Sequence, residues 1–160
     1  MITDSGYKTS DLVLPWWAGF LSGLALSLPM LQVTASLEST PLDALVGRIS
    51  VSMGLGTYQE PRIALGWAVF LAIGAVLGLL YAASQVRIPS GGLLAVGLFY
   101  GFFLWVLGAV LSGVLGLPLK SMIHTWAWFA GSLTFGAGLA LASILADRTR
   151  PRQSLVVPKD

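Results

Sequence analysis

Four stretches of this chain run on without a single Asp, Glu, Lys or Arg, at roughly 12–34, 63–85, 91–117 and 121–146. Nothing else in the sequence constrains the fold as strongly. About 20 apolar residues in a helix are enough to cross a hydrocarbon core of roughly 30 Å. In that core an unpaired peptide group costs several kcal/mol, so each crossing segment must close its own backbone hydrogen bonds. None of the four alternates polar and apolar residues as a barrel strand would. The expected fold is all-α, an integral membrane bundle of four transmembrane helices. The segments outside it are an N-terminal tail over 1–11 and a basic C-terminal tail over 147–160. The first run could be confused with a signal peptide, because Val33-Thr34-Ala35 loosely resembles a cleavage site. Its length and the balanced charges before it instead predict a retained span.

Composition agrees. Apolar residues make up 56% of the chain and charged residues 10%, against about 25% charged in a soluble domain. The 19 glycines and 6 tryptophans also fit a bilayer, which tolerates Gly within helices and gathers Trp at its interfaces. Absence of cysteine excludes disulfides, thiolate metal sites and Cys nucleophiles. A net charge of +2 argues against nucleic acid as a partner. With the N-terminus in the cytoplasm, Lys8, Arg87, Arg148, Arg150, Arg152 and Lys159 face inward, and Arg48, Arg62 and Lys120 face outward. That asymmetry predicts both termini inside.

The longest connection, "STPLDALVGRISVSMGLG", predicts a short helix over about 41–54. Thr40 is expected as its N-cap, with Pro41 at the first helical position and Asp43 in the first turn. Leu42, Leu45, Val46, Ile49 and Met53 share one face, whereas Asp43, Arg48, Ser50 and Ser52 point elsewhere. Too short to cross, it either lies in the outer interface with its apolar face down or covers the bundle.

The spans read as two related halves. "AGFLSG" spaces Gly19 and Gly23 as "VGLFYG" spaces Gly97 and Gly101, and "IGAVLG" carries Gly74 and Gly78 where "FGAGLA" carries Gly136 and Ala140. Lipid tails are as apolar as leucine, so helices in a bilayer associate through close backbone approach across such small residues. The pattern predicts a 2+2 parallel hairpin repeat. Pro29 removes one hydrogen bond within the first span and is expected to bend it near Ser27.

Candidate chemistry is sparse. Ionisable groups inside a span are functional suspects by default, and the four cores hold none of the acidic or basic kind. There is no carboxylate pair and no histidine cluster for zinc. "SGG" at 90–92 lacks the lysine of a phosphate loop. The single histidine, His124, stands at the outer start of the fourth span with Trp126 and Trp128 just after it. With Trp16 and Trp17 at the head of the first span, these are read as interfacial anchors at headgroup depth. A haem held by two histidines would need another imidazole. The basic run "DRTRPR" is read as a topology signal that binds anionic lipid.

"WWAGFLSG", the "LDALVG" helix, "IGAVLGLLYA" and "VGLFYGFFLW" together resemble uncharacterised four-span bacterial inner-membrane proteins of unknown function. The resemblance covers most of 16–146 and rests on glycines and aromatics, so it implies a bundle and an inner membrane but no reaction. In that family pattern a His often stands four residues before the Gly of spans two and four. Phe70 and Ser132 occupy those places here. The expected role is a non-enzymatic accessory or structural subunit of a larger complex, with a respiratory or photosynthetic electron-transfer assembly as its setting. Its partners would be other membrane-protein subunits and phospholipids, with no cofactor. Arg148, Arg150 and Arg152 would meet acidic groups or lipid phosphates, and Leu155, Val156 and Val157 an apolar neighbour. The alternative is a small stand-alone transporter, channel or lipid-handling protein.

Overall fold

The computed structural model describes residues 14–57, 62–84, 92–114 and 125–149, and these form five helices. They are α1 (Trp16–Leu37), α2 (Leu42–Ser52), α3 (Ile63–Ser84), α4 (Leu93–Val114) and α5 (Trp126–Thr149). No strand occurs among the described residues. All but α2 are long and apolar enough to cross a membrane, which suggests a multi-pass membrane protein. The N-terminal tail over 1–11, the C-terminal tail beyond Thr149 (with Arg150, Arg152, Leu155, Val156 and Val157) and His124 lie outside the described residues.

Two tight hairpins make the bundle. In the first, α1 and α3 run antiparallel with their backbones in contact. A Cβ added at Gly19 would lie 2.5 Å from Ala82 Cβ, and one added at Gly23 would meet the Gly74 carbonyl and the Gly78 backbone. In the second, a Cβ at Gly97 would again lie 2.5 Å from an alanine, Ala140, and one at Gly101 would meet the Ser132 carbonyl. Real Cβ atoms do not approach so closely, so only hydrogen fits at these four positions.

The contacts also define the register of the repeat, and it differs from the sequence pairing by one helical turn. Gly78, not Gly74, corresponds to Gly136, and Ala82, not Gly78, corresponds to Ala140. Gly74 therefore takes the place of Ser132, and Phe70 that of Trp128. Small residues recur every four positions in both helices, so a slide of one turn leaves the pattern nearly unchanged.

The hairpins join through α1 and α5. A Cβ at Gly131 would meet Thr34 Oγ1 and the Met30 carbonyl, and one at Gly138 would meet the Leu26 side chain. One end of this seam is tied by Glu38, beside the last turn of α1, whose Oε1 accepts a hydrogen bond from Thr125 Oγ1 at 3.0 Å. Thr125 also caps α5, accepting from the Trp128 N–H at 3.4 Å.

Helix α2 covers the bundle. Leu45, Val46 and Ile49 are almost wholly buried and join Leu31, Ala35, Phe70 and Trp128 in one core. Burying such side chains is worth about 1.5–3 kcal/mol each relative to water. Gly66 lets α3 approach, since a Cβ there would lie 2.8 Å from the Val46 carbonyl. Contrary to the sequence reading, Ser50 and Ser52 are buried as well. Packing against both α1 and α3 encloses two sides of α2, and the hydroxyls are satisfied by the Arg62 and Ile49 carbonyls at 3.1 and 2.7 Å. Thr40 is not the cap either: Pro41 holds that position without a side-chain bond, and Thr40 Oγ1 donates to the Glu38 carbonyl. Just past the helix end the chain turns at Gly54, whose φ of 74° suits glycine. Through Pro29, α1 continues as one helix to Leu37.

Candidate functional site

By the symmetry of the two hairpins, α3 should pack on α4 as α5 packs on α1. Instead α3 and α4 scarcely touch. Between them lies an apolar chamber of about 320 Å³, within the roughly 300–1,000 Å³ range of small-molecule sites. Phe70, Ile73 and Leu77 form one wall and Leu104, Trp105 and Gly108 the opposite one. Trp128 and Phe135 of α5 form the back, and Ile49 and Met53 of α2 close one end. Ile73, Leu107 and Leu111 lie at the rim, exposed by 41%, 37% and 47%. The chamber therefore opens sideways between α3 and α4, toward the surface that lipid would occupy.

Its other end narrows at Leu77 and Leu104, beyond which tyrosines tie α3 to α4. Tyr100 Oη of α4 donates to the Leu77 carbonyl of α3 at 2.7 Å, and its ring meets that of Tyr81 edge-on with centroids 5.0 Å apart. Tyr81, Phe135 and Leu139 form a buried cluster beneath, which Leu26, Leu77 and Leu104 pack against. Polar groups in the lining are few. Ser27 Oγ donates to the Gly23 carbonyl at 2.8 Å, and Ser112 Oγ to Ala109 at 3.0 Å, so both are bound to their own helices. Two buried side-chain polar atoms have no partner among the described residues, Trp128 Nε1 and Tyr81 Oη.

Of the residues expected at the interface, Trp16, Trp17 and Trp126 are exposed, by 72%, 55% and 73%. Trp128 departs from that expectation. It is 7% exposed and packs edge-on against Phe70 at 6.4 Å. Two residues of helix turn a side chain by about 200°, so Trp126 and Trp128 face opposite ways. Arg148 is exposed in the last turn of α5. Phe70 and Ser132 both line the chamber. Among the described residues no group of three or more His, Cys, Asp or Glu could hold a metal ion.

Sequence reasoning did not anticipate the chamber. Its one available signal was the mismatch between Gly131 and Gly138 on α5 and the bulkier Ile73 and Leu80 on α3. That mismatch appears only once the hairpins are set in the register of their contacts. No curated protein and no solved structure was found to match the chain. A family model does match, over residues 10–154, and on that extent the chain belongs to DUF6789, a family of unknown function.

Proposed function

We propose that this protein is a non-enzymatic component of the bacterial cytoplasmic membrane that holds an apolar guest from the bilayer between α3 and α4. The observation that carries this is the chamber itself: apolar walls, a closed end, a narrowed end and a side opening between two lipid-exposed helices. A volume of this kind excludes water and favours hydrocarbon. The absence of catalytic chemistry is inferred from a chain with no cysteine, one histidine and no acidic or basic residue inside its spans. The Lys and Arg distribution supports cytoplasmic termini and an outward α2.

A second reading keeps the protein as an accessory subunit of a larger membrane complex, with an electron-transfer assembly as its setting. What favours it is α4, the least covered of the four long helices, which exposes Phe99, Phe103, Val110 and Val114 by about half or more. That face would suit another subunit as well as lipid.

The test is purification in mild detergent, followed by exchange into lipid-free detergent and mass spectrometry of what remains bound. A retained apolar molecule is expected, reduced severalfold by Ile73→Trp, which fills the rim without touching the glycine contacts. Absence of any retained molecule would count against guest binding. Co-elution with larger membrane proteins would instead support the accessory reading.

A further inference from the structure

We infer that the guest carries a neutral oxygen set within its hydrocarbon, a carbonyl or a hydroxyl, and that the hydroxyl of Ser132 donates a hydrogen bond to it. This rests on the guest-binding reading above and specifies its chemistry. Ser132 lines the chamber and is 5% exposed, and its Oγ makes no hydrogen bond among the described residues. That oxygen is not sealed as Trp128 Nε1 and Tyr81 Oη are, so the surface it keeps faces the chamber. Ser27, Thr34, Thr134 and Ser143 each donate to the carbonyl four residues back, whereas Ser132 leaves that local partner unused. A buried hydroxyl without a partner is costly, and native structures rarely keep one without a reason. Packing does not supply the reason, because Gly74 takes the place of Ser132 in the other hairpin with no hydroxyl at all.

The remaining lining narrows the class. Ser27 and Ser112, 1% and 0% exposed, already donate to carbonyls of their own helices. Trp105 has a partner of its own, and Trp128 Nε1 is sealed. A water beside Ser132 needs about two to four polar partners, and these side chains leave it one. No Asp, Glu, Lys, Arg or His lines the chamber, so nothing there would pair with a charged head. Depth points the same way. Ser132 follows the exposed Trp126, read as an interfacial anchor, by about 9 Å along the helix at 1.5 Å per residue. Ile49 and Met53 of α2 cover the end of the chamber. The oxygen therefore enters sideways with the hydrocarbon, deeper than the ester groups of a phospholipid seated in the bilayer. A neutral lipid with one carbonyl or hydroxyl inside its apolar body fits.

Native mass spectrometry of the full chain in detergent tests this with a matched set of probes: dodecanophenone, phenyl undecyl carbinol and dodecylbenzene. They differ only in carrying a carbonyl, a hydroxyl or neither beside the ring. In the unaltered protein the ketone or the alcohol should bind at least about fivefold more tightly than the hydrocarbon, the size expected for one satisfied donor. Whichever of the two binds more tightly identifies the oxygen. In Ser132→Ala the preference should vanish while dodecylbenzene binds as before, and Ser27→Ala should leave the preference in place. Should Ser132→Ala fail to fold, Ser132→Gly, the residue of the other hairpin, serves instead. Equal binding of the three probes, or a preference that survives loss of the Ser132 hydroxyl, overturns the inference. So does a Ser132-dependent preference for a diacyl phospholipid over its diether analogue, since the oxygen would then be a head-level ester. If Ile73→Trp still abolishes dodecylbenzene binding in those cases, the guest-binding reading stands. Binding of no probe, or binding insensitive to Ile73→Trp, overturns both.

Discussion

The α1–α5 seam and the α3–α4 gap occupy equivalent places in a two-hairpin bundle, yet one is shut and the other is not. In the shut seam Gly131 admits Met30 and Thr34, and Gly138 admits Leu26. In the gap Ile73 replaces Gly131 and Leu80 replaces Gly138. The exchange is not uniform, because Gly108 on α4 stands where α1 has Met30, so bulk near Ile73 is moved and not added. The excess lies lower down, where Leu80 replaces a glycine and Tyr100 stands in the place of Ser22. Tyr100 reaches α3 with both its ring and its hydroxyl. It therefore acts as a spacer and a tie at once. In a bilayer, where apolar surface alone does not drive helices together, a few such substitutions decide whether two helices meet.

The comparison can be broken most severely at its closed contacts. Gly78→Leu must force α1 and α3 apart, since even a Cβ there would lie 2.6 Å from the Gly23 Cα. Overpacking of this kind costs about 1–3 kcal/mol or more, and a sharp loss of folded yield in detergent is expected. Gly131→Leu should act similarly on the seam between the hairpins. An intact yield for both variants would mean that these backbones are not in contact.

A second change should close the gap. Tyr100→Ser combined with Leu80→Gly gives α3 and α4 the residues of the shut seam at the two positions that carry the excess bulk. Spin labels at Val76 and Phe103 should then move several ångströms closer by pulsed electron resonance. Unchanged separation would show that some other feature holds the helices apart. A smaller effect is expected from Tyr100→Phe, which keeps the spacer and removes only the bond to Leu77. The cost of one neutral hydrogen bond is about 1 kcal/mol, read as a modest fall in melting temperature in detergent. Smallest of all, Leu79→Ile, one residue from Gly78, conserves volume and should leave the melting temperature in detergent nearly unchanged.

Much of this architecture was legible in the sequence, because length and apolarity suffice to define a membrane span and Gly54 marks the end of α2. The face of each residue was not. "WAWF" announces a depth in the membrane, but only packing shows that Trp126 looks out and Trp128 looks in. Gly74, Gly78 and Ala82 form one unbroken ladder of small residues, as do Ser132, Gly136 and Ala140. A one-turn slide therefore fits the pattern almost equally well. The chamber was illegible for the same reason, since it depends on comparing Ile73 with Gly131 and Leu80 with Gly138 in the correct register.

Departure from symmetry also governs number. A pair of identical hairpins would carry either two equal gaps or none, since whatever opened one seam would open its mate. Two unlike hairpins in one chain permit a single gap beside a single weld. On the guest-binding proposal, one chamber takes one guest per chain, and titration of the isolated chain should saturate at one.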